Sequence, residues 1–437
     1  MATRFTRIWG QLPRSRYAFG GASASAIYLF QSSRKSDDNG RVEQTSVGTH
    51  PGIARVDSAS VPSNFPCEDR MSSLTIPSSA WSFWAIYDGH SGHQTSALLE
   101  QRLIPTLVEK LQDLYRQTTK APEKEPIHQV FKNACLELDD EIVNKTVETI
   151  ASLPETAPRM TLAATLLQAA RSGSCALVAF YEANLRRLHV ALVGDSRAIL
   201  GRPRQLSDGK TIYDLHILSV DHNAKNPAEI ARLEAAHPNE PELLNRETGR
   251  LLGWGCSRAF GDGVMKWTRD IQTWMEKDLL GSKPRATLLT PPYFTAEPEV
   301  TTIDIQPGDF MIMASDGLWD NLTSEDAVGL VGAWIDRWGI EALRSFDMGS
   351  VAGHRLERSE LPVKITDKQD KYPWWNAQKR FINADSFNAA SHLVRNALGG
   401  ANTDLHDALL ATPAPRSRYQ RRVLFLLGRR CLTLFQR

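Results

Sequence analysis

Apolar and polar positions along the chain separate strands from helices. Trp81–Tyr87 reads WSFWAIY, an aromatic and β-branched run that predicts a buried strand. DGHSG follows at once and predicts a turn. Leu99, Leu103, Ile104, Leu107, Val108 and Leu111 then recur at helical spacing, predicting an amphipathic helix. A second helix is predicted over 127–149. Residues 176–181 and 188–193 flank a polar turn and predict a hairpin, with 198–201 continuing the sheet. Residues 228–236 read as a helix. Residues 300–305 alternate apolar and polar, QPGD at 306–309 is a turn signal, and Phe310–Ala314 predicts a strand running into another Asp-Gly. Residues 325–345 and 376–398 have helical patterns. Residues 348–375 are polar and irregular and read as a surface insertion, and 37–66, rich in Ser, Pro, Gly and Asn, as an extended lead-in. No internal repeat is present. Strands and helices cluster rather than alternate strictly, which predicts an α+β fold with antiparallel sheets.

Composition narrows the classes. A chain of 437 residues holds one large domain or two ordinary ones. A net charge of +1 gives no overall attraction to nucleic acid or anionic membrane. The five cysteines lie far apart with no CxxC, which argues for a reducing compartment and against a disulfide framework or a structural zinc site. No apolar run approaches the roughly 18–20 residues that span a bilayer. The N-terminus differs in character. Arg4, Arg7, Arg14, Arg16, Arg34 and Lys35 lie among Ser, Ala and Thr, and no acid precedes Asp37. That composition predicts a mitochondrial transit peptide and flexible lead-in over residues 1–45, leaving 46–437 as the folded domain.

Three aspartates directly follow apolar strands: Asp88 in AIYDGH, Asp195 in LVGDSR and Asp316 in MASDGLWD. A strand end holds a carboxylate rigidly, and the loop beyond it admits solvent. Gly89 and Gly317 let the backbone turn and bring a carbonyl near a ligand. Carboxylates, carbonyls and room for water suit Mg²⁺ or Mn²⁺. A lone Asp-Gly is only a turn dipeptide; three such carboxylates with Glu68, Asp69 and His90 nearby in sequence are a stronger signal.

An ordered set of motifs then becomes specific: CEDR (67–70), AIYDGHSG (85–92), SGSCALVAFY (172–181), ALVGDSRAIL (191–200), SVDHNAKNPAEIARLEAAH (219–237), SRAFGD (257–262) and ASDGLWDNLT (314–323). Together they resemble the metal-dependent type 2C protein serine/threonine phosphatases. GIARVD (52–57), PSNFPCEDR (62–70), GDGVMKW (261–267) and TPPYFTAEPEVT (290–301) resemble the mitochondrial pyruvate dehydrogenase phosphatase branch. The resemblance implies a four-layer sandwich of two antiparallel β-sheets flanked by α-helices. It implies two Mg²⁺ or Mn²⁺ ions, with Asp88 bridging them, the Gly89 carbonyl on one and Asp316 on the other. Glu68 and Asp69 would hold metal-bound waters, and a bridging water would attack phosphorus. His90 would be the general acid, or a brace for its turn. Asp195 would join Asp316 on a weak third ion, or pair with Arg197. By the same resemblance the partner is a phosphoprotein, the α subunit of pyruvate dehydrogenase, in the mitochondrial matrix. Arg258 and Asp262 are expected to form a salt bridge, and Trp254, Trp267 and Trp319 to anchor core or loops. Cys67 has no base in its motif to make it a nucleophile.

Two positions depart from the family pattern. Asn64 stands where many members carry a phosphate-gripping Arg, and an amide lacks that charged fork. Near the C-terminus the family places an Asp pair before a strand, the first Asp a metal ligand. LLATPAPRSRYQR (409–421) resembles the lead-in, but RVLFLLGRRCLTLF follows. Seven of the last thirty residues are Arg and none is acidic. Arg421 and Arg422 fall near the missing ligand, and residues 423–427 are expected to form the strand. The ending at 420–437 reads as frame-shifted, mis-spliced or divergent, or as a basic membrane-binding tail. Asp404 and Asp407 are the nearest substitutes for the ligand. A pseudophosphatase, or a mitochondrial phosphatase of broader range, are the other functional readings.

Overall fold

The computed structural model describes residues 33–36, 42–61, 64–339, 353–383, 386–413, 417 and 431–435. Two antiparallel sheets stack face to face. The first runs, in spatial order, Ser33–Ser36, Val42–His50, Ile53–Ser60, Cys431–Phe435, Phe310–Ala314, Arg197–Gln205 and Thr211–Ile217. The second runs Glu299–Asp304, Arg187–Val193, Ala176–Glu182, Trp81–Tyr87 and Arg70–Ile76. The Trp81–Tyr87 strand shows why its sequence is apolar throughout: it is covered on both sides. Trp84 and Ile86 pack between the sheets against Leu177, Leu192, Met311 and Met313. Phe83, Ala85 and Tyr87 point the other way, onto Leu99, Leu103 and Leu107 of the Gln94–Arg116 helix and Phe131 of the Lys124–Asp140 helix. Phe310–Ala314 repeats the pattern. Met311 and Met313 face the other sheet, while Phe310, Ile312 and Ala314 face Val331, Leu393 and Val394 of the Ser324–Trp338 and Ala389–Ala397 helices. Burying each such side chain contributes about 1.5–3 kcal/mol. The result is the four-layer α+β sandwich that the motifs implied.

The structure corrects the pattern reading in three places. The 37–66 lead-in contains two sheet strands, Val42–His50 and Ile53–Ser60, the first running across residue 45. These strands tolerate buried polar residues because each finds partners. Asp57 accepts from Thr45 Oγ1 at 2.7 Å, Arg55 Nε at 2.8 Å and the Ala389 amide at 3.0 Å. Of 376–398, only Ala389–Ala397 is α-helix, started by an Asn388 cap on the Ser391 amide. Residues 353–375 are more than a surface insertion: Leu356, Leu361 and Tyr372 are buried. Arg358 reaches Asp326 at 2.6 Å, and Lys379 reaches the same carboxylate at 2.7 Å. Residues 1–32 and 37–41 of the expected 1–45 transit and lead-in segment, Arg421, Arg422 and the expected strand at 423–427 lie outside the described residues. A strand is found at Cys431–Phe435, between Ile53–Ser60 and Phe310–Ala314.

Candidate active site

The central strands end at one edge of the sandwich, and their loops bring the predicted carboxylates together. Asp88 leaves Trp81–Tyr87, Asp195 follows Arg187–Val193, and Asp316 follows Phe310–Ala314. One carboxylate oxygen from each lies within 4.8 Å of the others. Burial pushes the Asp88 carboxyl well above the usual carboxylate range, and the negative charges of Asp69 and Asp195 add to that. Asp316 is raised the same way, by burial and then by Asp88 and Asp195. Such a set repels itself and strongly favours a bound cation or proton. Asp69 is buried behind it. Its Oδ1 accepts the Gly89 amide at 3.1 Å, while Oδ2 has no donor among the described residues. Hard oxygen donors, mutual repulsion and an orphaned carboxylate oxygen fit a divalent cation of the Mg²⁺ or Mn²⁺ kind.

Glu68 borders the same cavity, of about 400 Å³. It accepts the Gly92 amide at 2.7 Å and Asn64 Nδ2 at 2.5 Å. Gly89 has no room for a side chain, because an added Cβ would sit 2.2 Å from the Glu68 carbonyl oxygen. The close approach of two backbones therefore holds Asp88 and Glu68 in one site.

His90 is placed by a small three-stranded sheet. Gly89–His90 pairs with Gly173–Ser174, which pairs with Phe260–Gly261. Asp262 emerges next to His90, and its Oδ2 lies 2.5 Å from His90 Nε2. Burial alone would lower the imidazole, but the Asp262 charge and hydrogen bond override it and hold His90 at about 10. Gly173 lies between them in the sheet: a Cβ there would fall 2.1 Å from Asp262 Oδ2 and 2.2 Å from His90 Nε2. Gly173→Ala is therefore expected to force the pair apart and lower the turnover of any reaction that uses His90 as an acid by about tenfold or more. Steady-state kinetics, with circular dichroism to confirm folding, checks this.

Several pairings differ from the sequence expectations. Arg258 and Asp262 do not pair with each other. Arg258 binds buried Glu229 (Nε–Oε1 3.0 Å), and Asp262 serves His90. Arg197 binds Asp221 at 2.7 and 2.9 Å rather than Asp195, whose Oδ1 accepts from the Cys175 thiol at 3.2 Å. Trp267 and Trp319 are anchors as expected, donating to the Val143 and Ala314 carbonyls. Trp254 packs against the buried cluster that holds Phe294 and also lines the cavity, its ring centroid 5.9 Å from that of His90. The Cys67 thiol is pushed up by burial and donates to the Asp69 carbonyl, which leaves it unreactive. Asp404 and Asp407 are exposed on the Thr403–Ala411 helix, whose Leu409 packs into the core outside the first sheet. Among the described residues neither joins the carboxylate cluster.

Sequence reasoning missed Gly173 and Asp320, and it gave Asp262 a different partner. All lie within the quoted motifs, but contacts between distant segments reveal their roles. Asp320 is raised to about 6 by burial and by the charges of Asp195 and Asp221.

The family model for Protein phosphatase 2C matches residues 58–352. The chain belongs to the protein phosphatase 2C family. A protein phosphatase 2C homolog of Schizosaccharomyces pombe is 38% identical over 87% of this chain and 80% of its own length. A mitochondrial pyruvate dehydrogenase (acetyl-transferring) phosphatase 1 of Saccharomyces cerevisiae is 31% identical, over 91% of this chain and 72% of its own. The Homo sapiens protein of that name is 29% identical over 79% and 71%. By family the chain is a protein serine/threonine phosphatase, of a class that is metal-dependent, and Asp88, Asp195 and Asp316 form a group that could hold a metal ion.

Proposed function

We propose that this phosphatase 2C removes phosphate from phosphoserine on the α subunit of pyruvate dehydrogenase, in the mitochondrial matrix, using Mg²⁺ or Mn²⁺. The observation that carries the reading is the convergence of Asp88, Asp195 and Asp316 beside the His90–Asp262 pair. Asp88, Asp316 and the Gly89 carbonyl would hold two ions, with Asp195 on a weaker third and Glu68 and Asp69 ordering the surrounding water. When bound, these cations supply the charge that makes water nucleophilic near neutral pH. The protein's own residues do the rest. Water adds to phosphorus as the P–O bond to serine breaks, and the serine oxygen needs a proton. The Asp262 charge and hydrogen bond favour the protonated imidazole of His90, and its Nε2 is committed to Asp262. That leaves Nδ1–H as the donor to the leaving oxygen.

The substrate and location are supported by the relatives named as mitochondrial pyruvate dehydrogenase phosphatases, and by the Arg- and Ser-rich, acid-poor residues before Asp37. The test is dephosphorylation of the phosphorylated α subunit against phosphocasein at equal concentration. The expected kcat/KM is at least about tenfold higher for the α subunit, a preference of about 1.4 kcal/mol. Equal rates would replace the substrate assignment with a broader range. One observation favours a second reading, a pseudophosphatase. The clustered carboxylates of the described residues are three, and neither Asp404 nor Asp407 adds a fourth.

A further inference from the structure

A phosphate dianion entering this cavity meets Glu68, Asp88, Asp195 and Asp316 on its walls. Bound cations offset part of that repulsion. A monoester with free equatorial oxygens also needs a donor that reaches it from the solvent side. Asn64 offers no charge, and one of its two amide N–H donors is spent on Glu68 Oε2 at 2.5 Å. Among the described lining residues, two side chains other than His90 are cationic, Arg250 and Arg285. Arg250 spends Nη1 on the Gly253 carbonyl at 2.8 Å.

We propose that Arg285 is the residue that grips the substrate phosphate, a reading that rests on the phosphatase assignment above. Three observations place it for that work. Its guanidinium carbon lies over the Trp254 ring, 5.8 Å from the centroid, and Trp254 in turn meets the His90 ring. The fork therefore stands two ring contacts from His90, on the cavity wall. Stacking on an indole face orients a guanidinium and leaves its in-plane N–H donors free. The side chain is exposed and makes no hydrogen bond or ion pair among the described residues. The segment is also anchored. The Leu288 amide donates to the Arg285 carbonyl at 3.2 Å, Leu288 is buried, and Trp254 packs edge-on against buried Phe294 at 5.7 Å. A cation held on such a platform loses less freedom on binding than one on a free loop. Arg285 lies more than two hundred residues from Asn64 in sequence. The chain thus meets the need for a phosphate donor from a separate segment.

The test uses the full chain with saturating Mn²⁺ and compares wild type, Arg285→Ala, Arg285→Lys and Arg204→Ala. Arg204 pairs with exposed Asp214 and controls for loss of one positive charge. Arg285→Ala is expected to raise KM for a phosphoserine peptide, and the inhibition constant of inorganic phosphate, by about tenfold or more. Its kcat should stay within about threefold. Arg285→Lys should recover part of the loss, since a point charge replaces a fork. Unchanged KM and phosphate inhibition in Arg285→Ala overturn the proposal, as does a defect confined to kcat. Calorimetric binding of inorganic phosphate to the Mn²⁺-loaded proteins reads the same question without turnover. Tenfold weaker binding in Arg285→Ala supports the clamp even if the phosphatase reading fails. Equal binding by both proteins, or binding by neither, overturns it.

Discussion

Asp88→Asn is expected to lower kcat/KM by about a thousandfold or more while making the metal-free protein more stable. The two effects share a cause. Asp88 sits in a buried cluster whose members raise one another's pKa, burial being the largest contribution. Raised carboxyls stabilise the fold fully only below their ordinary value of 3.8, where both states are protonated. As pH rises through the folded-state values, that stability is lost, because the folded protein must ionise groups that burial and repulsion keep neutral. Metal-free wild type should therefore lose stability from about pH 4 upward more steeply than Asp88→Asn. Calorimetry in chelator at pH 5 and pH 8 checks this, with the larger gap expected at pH 8. Added Mn²⁺ should reverse the order, since only the intact site gains strongly from binding. A less stable Asp88→Asn protein at pH 8 without metal would count against the self-repelling cluster.

His90→Ala is expected to lower kcat on a phosphoserine peptide by about 10²–10⁴-fold. The same variant should lose less than about tenfold on p-nitrophenyl phosphate, whose phenolate leaves without a proton. Asp262→Asn should follow the same asymmetry at smaller size, because it positions and charges His90 without touching the substrate. The readout is the ratio of the two substrates' rate losses, which a merely structural His90 would not move. Equal losses on both substrates would remove His90 from the role of acid.

Much of this arrangement is legible along the chain because its signals are local. Trp81–Tyr87 and Phe310–Ala314 announce themselves through continuous apolar runs, and Asp88 and Asp316 through the Asp-Gly that ends each. The strands Val42–His50 and Ile53–Ser60 do not, because their polar residues are satisfied by Asn388 and Ala389, more than three hundred residues away. Asp262 is similar. Its motif suggests pairing with Arg258, but the folded chain gives Arg258 to Glu229 and Asp262 to His90. Gly173 looks like one small residue in a strand-forming stretch until the short sheet sets it between the His90 and Asp262 side chains. Partner choice among charged residues is a tertiary property, and periodicity carries no information about it.

The most direct test measures phosphate release from a phosphoserine peptide by the purified chain, titrated with Mn²⁺ and then with chelator. Alongside it runs a version carrying Gln420→Arg, Arg421→Asp and Arg422→Asp. A metal-dependent phosphatase predicts saturable activation by Mn²⁺ and complete loss in chelator for the chain as it stands. Undiminished turnover in chelator, or activity confined to the altered version, would contradict it.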